Sequence, residues 1–295
     1  MSSLTREQIK KGIGILGSSR LNLRSQTLRG LNLAKLTLSG ADLFRADLSQ
    51  ARLDQADLRQ ANLKGARLRS AKMAEANLEG VNLQGADLSG ADLSGANLSS
   101  ANLGARVITV QGDFDTWQKT NLGGANLSAA KLRGANLARA RLRKCRLAGA
   151  DLSEANLELA DLSEADLQEA NLAGINLHRA RLTGIRLEAA SLQGIRLAGA
   201  GLAQAHLAGA NLRDARLIEA DLSHADLRGA DLTGADLRRA NLSGADLSQA
   251  NLASVNLQGA RYDADTKWPA GFNPALSEAI LPAVAMRPAQ VFDWW

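Results

Sequence analysis

The chain is built on a five-residue repeat. Leucine stands at every fifth position from Leu23 to Leu103, with Met73 the single substitute, and again from Leu122 to Leu257. That makes 17 pentads, a phase slip, and 28 more. Two residues before these 45 positions lies Ala in 34 cases, and between the two lies Asp or Asn in 30. The unit reads Ala, Asp/Asn, Leu and two variable residues, as in Ala41-Asp42-Leu43-Phe44-Arg45. Periodicity of this kind constrains the architecture before local propensity does.

Ala and Leu favour helices, yet the period excludes a helical core stripe. Five residues advance a helix by about 500°, so each Leu would land roughly 140° from the last. In an extended chain, residues i−2 and i share a face, so Ala and Leu point inward together and Asp/Asn points out. From one Leu to the next Ala is three residues, an odd step. The chain must therefore turn once in every pentad. Outward Asp/Asn side chains bond nearby backbone amides and favour such corners. The predicted object is an all-β solenoid with short extended sides.

Composition narrows the function classes. Of 295 residues 45% are hydrophobic and only 3% aromatic, too apolar for a disordered chain and too poor in aromatics for a typical mixed enzyme core. Apolar runs are too short to span a bilayer, so no membrane insertion is expected. The single cysteine, Cys145, excludes an internal disulfide framework and suits a reducing, cytoplasmic setting. The stretch Gly12-Ile13-Gly14-Ile15-Leu16-Gly17 is too short for a signal-peptide core.

The pattern resembles the pentapeptide-repeat family over residues 21–262. That resemblance implies a right-handed quadrilateral β-helix with four pentads per coil. It implies about eleven coils in two arrays, 21–103 and 122–262, in a rod roughly 55 Å long at ~4.8 Å per coil. Some members are strongly acidic mimics of duplex DNA that bind type II topoisomerases, and some make that contact through projecting loops.

Stacking at twenty residues changes how charge runs are read. Residues 122–150 carry seven bases and no acid, while 151–170 carry seven acids and no base. Taken linearly, the first run looks like a nucleic-acid patch. In the coil, Lys131 falls on Asp151, Arg141 on Asp161, Lys144 on Glu164 and Arg146 on Asp166. The later run Asp221, Asp226, Asp231, Asp236 and Asp246 is interrupted by Arg213, Arg228, Arg238 and Arg239. Neither surface carries one sign continuously, so nucleic acid is a disfavoured partner and DNA mimicry a weak alternative.

Nothing in the pattern assembles catalysis. His178, His206 and His224 have no ligand-spaced partner, so neither a metal nor a cofactor is expected. Cys145 takes an inward Ala position and reads as an inert packing thiol. A repeating wall forms no concave pocket for a nucleophile and base, so the chain is not read as an enzyme.

Function in a regular scaffold is sought where regularity fails. Leu103 to Leu122 spans nineteen residues, one short of a coil. Either residues 104–121 form an irregular coil, or a loop of about fourteen extra residues projects. Phe114 and Trp117 in it either contact a protein or pack on the wall. Residues 1–20 supply an N-terminal cap, with a helix opening at Thr5 and weakened by Gly12 and Gly14. At the other end, 263–295 form a C-terminal cap and aromatic tail. The stretch from Tyr262 to Pro274 resembles the terminator of many cyanobacterial members. Phe292, Trp294 and Trp295 either anchor a protein partner or fold back over the last coil. Ile175, Ile185 and Ile195 replace inward Ala and predict local widening, a packing matter.

These features together predict a non-enzymatic protein–protein interaction scaffold, a structural, linker or assembly component of a larger complex; it is the family resemblance, through its cyanobacterial members, that implies a complex such as a photosynthetic antenna. The alternative is a topoisomerase-binding or DNA-binding regulator. Either a monomer or an end-to-end homodimer is expected.

Overall fold

The computed structural model describes residues 4–108, 116–277 and 279, with the backbone alone at 106–108, 116 and 117. Phe114, Phe292, Trp294 and Trp295 lie outside the described residues.

The inward and outward faces are those the spacing requires. The recurring Leu and Ala side chains form one continuous buried column from Leu23 to Ala260. The residues between them, Asp42, Asp47 and Asn62 among them, are only half-buried. With the exception of Asn171, those of the described coils bridge in parallel to the residue one coil on, as in Asn22 to Asp42 and Asp42 to Asn62. That twenty-residue register means four pentads per turn. Each bridge is a single residue wide, so the sides are too short to count as strands. The Leu N–H donates to the next coil, as Leu48 does to the Arg67 carbonyl at 2.7 Å. Helix propensity loses because the backbone groups of successive coils pair in this way while the whole Leu–Ala face is buried.

Asp and Asn set the corners. The carboxylate of Asp42 accepts the Phe44 N–H at 3.1 Å, and that of Asp47 accepts the Ser49 N–H at 3.0 Å. The residue that follows is left-handed, with φ of 60° at Gln50 and 65° at Gly124. Glycine takes that conformation freely and Gln50 at a cost, which accounts for the many glycines at this position.

The phase slip does not break the solenoid. Bridges join Asp87 to Asn121 and Asn102 to Asn136, a spacing of 34 residues in place of 20. The ladder therefore runs through, and fourteen residues leave it at one corner between Leu103 and Leu122. Within that insert, β1 (Arg106–Ile108) pairs antiparallel with β2 (Thr116–Gln118), with Val107 opposite Trp117.

At the N-terminus, α1 (Arg6–Leu16) lies on the first coil. Thr5 caps it, its hydroxyl accepting from the Gln8 N–H while the Gln8 side chain accepts from the Thr5 N–H. The helix runs through both glycines, and Gly12 has a reason to be there. A methyl group at its place would stand 3.0 Å from Leu21 Cδ1. Ile9 is buried in the shared core, and Arg6 donates to the main-chain carbonyls of Asn32 and, at 3.0 Å, of Ala34. Those bonds satisfy carbonyl edges that have no earlier coil.

The last coil is finished by a variant pentad. Asp246 bridges Lys267, one residue later than the regular register, and Trp268 follows where a Leu would stand. Trp268 packs edge-on to Tyr262, with ring centroids 5.5 Å apart, and stacks on Phe272 at 5.2 Å. The buried Thr266 hydroxyl donates to the Leu242 carbonyl at 3.0 Å and accepts from the Asp263 N–H at 3.1 Å.

Candidate interaction surfaces

The four walls carry paired charge. Lys131 and Asp151, Arg141 and Asp161, and Arg146 and Asp166 are bridge partners, as the twenty-residue stacking requires. The closest ion pairs use residues one position further out. Arg143 lies 2.6 Å and Lys144 3.2 Å from Glu164, and Arg133 lies 2.8 Å from Glu154. Arg143, and then Lys144, hold the Glu164 carboxyl below its ordinary range. Each such exposed pair contributes little to stability, because solvent screens it. Their effect is to cancel the field of the basic run.

The C-terminal acidic run is neutralised in the same way. Arg228 closes on Asp226 through contacts of 2.7 and 2.8 Å, and Arg238 on Asp236 through 2.7 and 2.9 Å. The Arg228 and Arg238 hydrogen bonds lower the carboxyl pKa of Asp226 and Asp236 respectively. A mimic of duplex DNA needs unpaired negative charge, and these carboxylates are spent on their own arginines. His206 and His224 are exposed and His178 half-exposed. No group of metal-ligating side chains occurs among the described residues, and no helix there is long and apolar enough to cross a membrane.

Cys145 sits in the core column, its thiol donating to the Leu122 carbonyl at 2.8 Å. Burial pushes its pKa up to about 12 from an ordinary 9.0. A thiol reagent at pH 8 is therefore expected to label Cys145 only after unfolding. Because the folded pKa is the higher one, the associated stability is intact below about pH 9 and declines as pH rises toward 12. Labelling of the folded protein at the rate of a free thiol would contradict this burial.

The base of the insert holds a residue the pentad reading passed over. Thr120 occupies an inward Ala position and is fully buried. Its hydroxyl accepts the Gly85 N–H at 2.9 Å and lies 3.1 Å from the Gly104 carbonyl and 3.2 Å from that of Leu83. Gln118 Nε2 adds a bond to the Gly85 carbonyl at 3.0 Å. The signal was present in the sequence, a hydroxyl in a slot that mostly takes Ala, directly after the phase slip. Trp117 stands on β2, one residue before Gln118.

Away from the insert and the ends, the described ladder fails in one stretch. The N–H groups of Glu169, Leu172 and Gly174 find no carbonyl on the following coil, and that of Ser191 finds none on the preceding one, whereas Asn176 still bridges Arg196. The bonds at either margin are long, 3.2 Å at Leu167 and 3.1 Å at Arg179. Ile175, Ile185 and Ile195 fill Ala slots here and add volume to the core; Ile175 and Ile195 border the opening, while the bonds beside Ile185 stay regular. The predicted widening is thus an opening in one wall, a cleft of about 410 Å³ lined by Leu172, Gly174, Ile175, Ser191, Gln193 and Arg196.

Pentapeptide repeats match residues 22–99 and 120–261 in overlapping segments. The chain belongs to the pentapeptide-repeat family. Its fold is that family's right-handed quadrilateral β-helix. Among solved structures, the chain is similar to HetL, a pentapeptide-repeat protein involved in heterocyst differentiation regulation from the cyanobacterium Nostoc sp. strain PCC 7120. That match has 32% identity over 87% of this chain and 96% of the other, with a TM-score of 0.41. Rfr23 of the cyanobacterium Cyanothece 51142 is 27% identical over 62% of this chain and 90% of its own, with a TM-score of 0.22. QnrB1, a plasmid-mediated fluoroquinolone resistance protein, is 19% identical over 67% and 92% of the two chains, with a TM-score of 0.25. No protein of curated function matches the sequence.

Proposed function

We propose that this chain is a non-enzymatic protein-binding scaffold, a rigid rod of a reducing, cytoplasmic compartment that presents the insert at residues 104–121 to a protein partner. One observation carries the reading. The bridge register passes through the interruption with fourteen residues added and none lost, so the solenoid gains nothing structural from them. An insert that the fold does not need, anchored at its base by Thr120 and Gln118, is an element available for recognition. The self-cancelling charges of the walls favour a protein partner over nucleic acid. The aromatic residues Phe114 and Trp117 of the insert, and Phe292, Trp294 and Trp295 of the C-terminal tail, are the proposed anchors. A structural or linker role in a larger assembly, such as a photosynthetic antenna, fits such a rod.

The test removes residues 105–118, which joins Gly104 to Lys119 and restores an unbroken five-residue spacing between Leu103 and Leu122. The shortened chain is expected to keep its circular dichroism and unfold within a few degrees of the parent. It is expected to lose the stoichiometric partner captured from host lysate by the full chain. A second truncation after residue 282 separates the tail from the insert. Capture of the same partner by both shortened chains would place recognition on the walls and sink this reading. Capture of a topoisomerase, or of DNA with a steep salt dependence, would establish the regulator instead.

A further inference from the structure

We propose that the opening between residues 169–177 and 188–197 is a binding site for a short extended peptide, which adds to the solenoid as a guest strand and places a free C-terminal carboxylate on Arg196. Both lips are firmly held on their outer sides. Asn171 N–H donates to the Ala150 carbonyl at 2.9 Å on one side, and Leu192 N–H to the Asn211 carbonyl at 2.8 Å on the other. Toward each other the lips present free groups, the N–H of Leu172 and Gly174 on one and of Ser191 on the other. The carbonyls of Ala170 on the first lip, and of Ser191 and Gln193 on the second, are likewise without a backbone donor.

That alternation is the edge pattern of a parallel ladder, presented twice. One extended backbone satisfies both edges, which an apolar ligand cannot do. Behind the edges lie Ile175 and Ile195, so the floor is apolar, while Ser191, Gln193 and Arg196 make the rim polar. A cleft of about 410 Å³ accommodates a few residues, not a folded domain. A guest running parallel to both lips has its C-terminal end beside Arg196, at the corner formed by Gly174 and Gly194. A short guest ends there, because continuing means turning with the wall. Arg196 has no ion pair among the described residues, and its bridge neighbours are Asn176 and Arg216, which supply no acid. A carboxylate at this point gains a charge-assisted bond.

The experiment uses the full-length protein and the probe acetyl-Ala-Asn-Leu-Ser with a free carboxylate, which repeats the chain's own unit so that Ala and Leu face the floor. Residue-resolved hydrogen exchange is measured with and without it. In the free protein the amides of Leu172, Gly174 and Ser191 are expected to exchange at least ~100-fold faster than those of Leu152 and Leu212. Saturating peptide is expected to slow them by at least about tenfold. The same peptide with an amidated C-terminus is expected to bind roughly tenfold more weakly, the worth of one charge-assisted bond. The variant I175A/I195A, which restores Ala at both slots, is expected to close the ladder, slow these amides without peptide and bind none. Slow exchange in the free wild-type protein would overturn the proposal, since the ladder would then be closed. Unchanged exchange at saturating peptide would overturn it too, leaving a cleft that holds only water. The site is independent of the insert, and a chain lacking 105–118 keeps it, so either reading can fail alone.

Discussion

Leu142→Asp is expected to open the middle of the rod. Leu142 is fully buried between the bridge-linked coils of Leu122 and Leu162. The column around it is lined by buried Leu and Ala side chains, so the new carboxylate must stay charged and poorly solvated, take up a proton, or leave the core. Each route costs on the order of 4 kcal/mol or more. Leu142→Ala, which leaves only a cavity, is expected to cost about 2–5 kcal/mol. Arg143→Ala removes the 2.6 Å ion pair to Glu164 and is expected to change stability least of the three, because both partners are exposed. The order of these three variants in urea midpoint tests which force holds the rod together. Because each coil touches only its neighbours, Leu142→Asp should act locally. Hydrogen exchange should accelerate at Leu122, Leu142 and Leu162 and stay slow at Leu48 and Leu232. A midpoint shift for Leu142→Asp no larger than that for Arg143→Ala would refute the buried column.

Most of this architecture was legible in the sequence because one period encodes several layers at once. Ala and Leu spaced two apart specify the inward face, the odd step to the next Ala demands the corner, and Asp or Asn supplies the corner's hydrogen bond. Those requirements agree, and agreement across levels is what makes a sequence readable. The stacking of Lys131 on Asp151 and Arg141 on Asp161 followed from the coil length alone. What spacing left open was the interruption. Nineteen residues between Leu103 and Leu122 equal one pentad plus fourteen, and equally one coil less one residue. Only the pairing of Asp87 with Asn121 decides between them.

The candidate sites were less legible, for a physical reason. The proposed anchors were chosen as aromatics in irregular segments, and irregular segments are where periodicity says nothing about placement. Of Phe114, Trp117, Phe292, Trp294 and Trp295, only Trp117 falls within the described backbone, on β2. The opening at Ile175 and Ile195 was visible as excess volume, but its consequence depended on which bonds give way. A swollen core can shift side chains or separate strands. Here the ladder separates, on the wall of Leu172 and Leu192, one corner away from the isoleucines themselves. Thr120 was overlooked because the pentad pattern treats any small inward residue as Ala, and a hydroxyl matters only where a backbone partner is missing.

Thr120→Val is expected to destabilise the protein by about 2–4 kcal/mol, although it preserves shape and burial. The hydroxyl performs two tasks at the base of the insert, accepting from the Gly85 N–H and donating to a neighbouring carbonyl. Valine leaves Gly85 N–H buried without a partner, at about 1–3 kcal/mol, and removes one further bond at about 1 kcal/mol. For a chain of this length that corresponds to a fall in Tm of roughly 5–15 °C if the unfolding is cooperative. Thr120→Ser keeps the hydroxyl and is expected to stay within about 1 kcal/mol of wild type. A decisive comparison combines Thr120→Val with removal of residues 105–118. At regular corners the equivalent N–H donates to backbone, as Gly90 does to the Gly123 carbonyl at 3.0 Å. Gly85 would find its counterpart in the Gly104 carbonyl, from which the insert now displaces it. In the shortened chain that bond can form, and the valine penalty should shrink by at least half in a double-mutant cycle. An undiminished penalty would mean that Thr120 supports the core column itself, with no special role in carrying the insert.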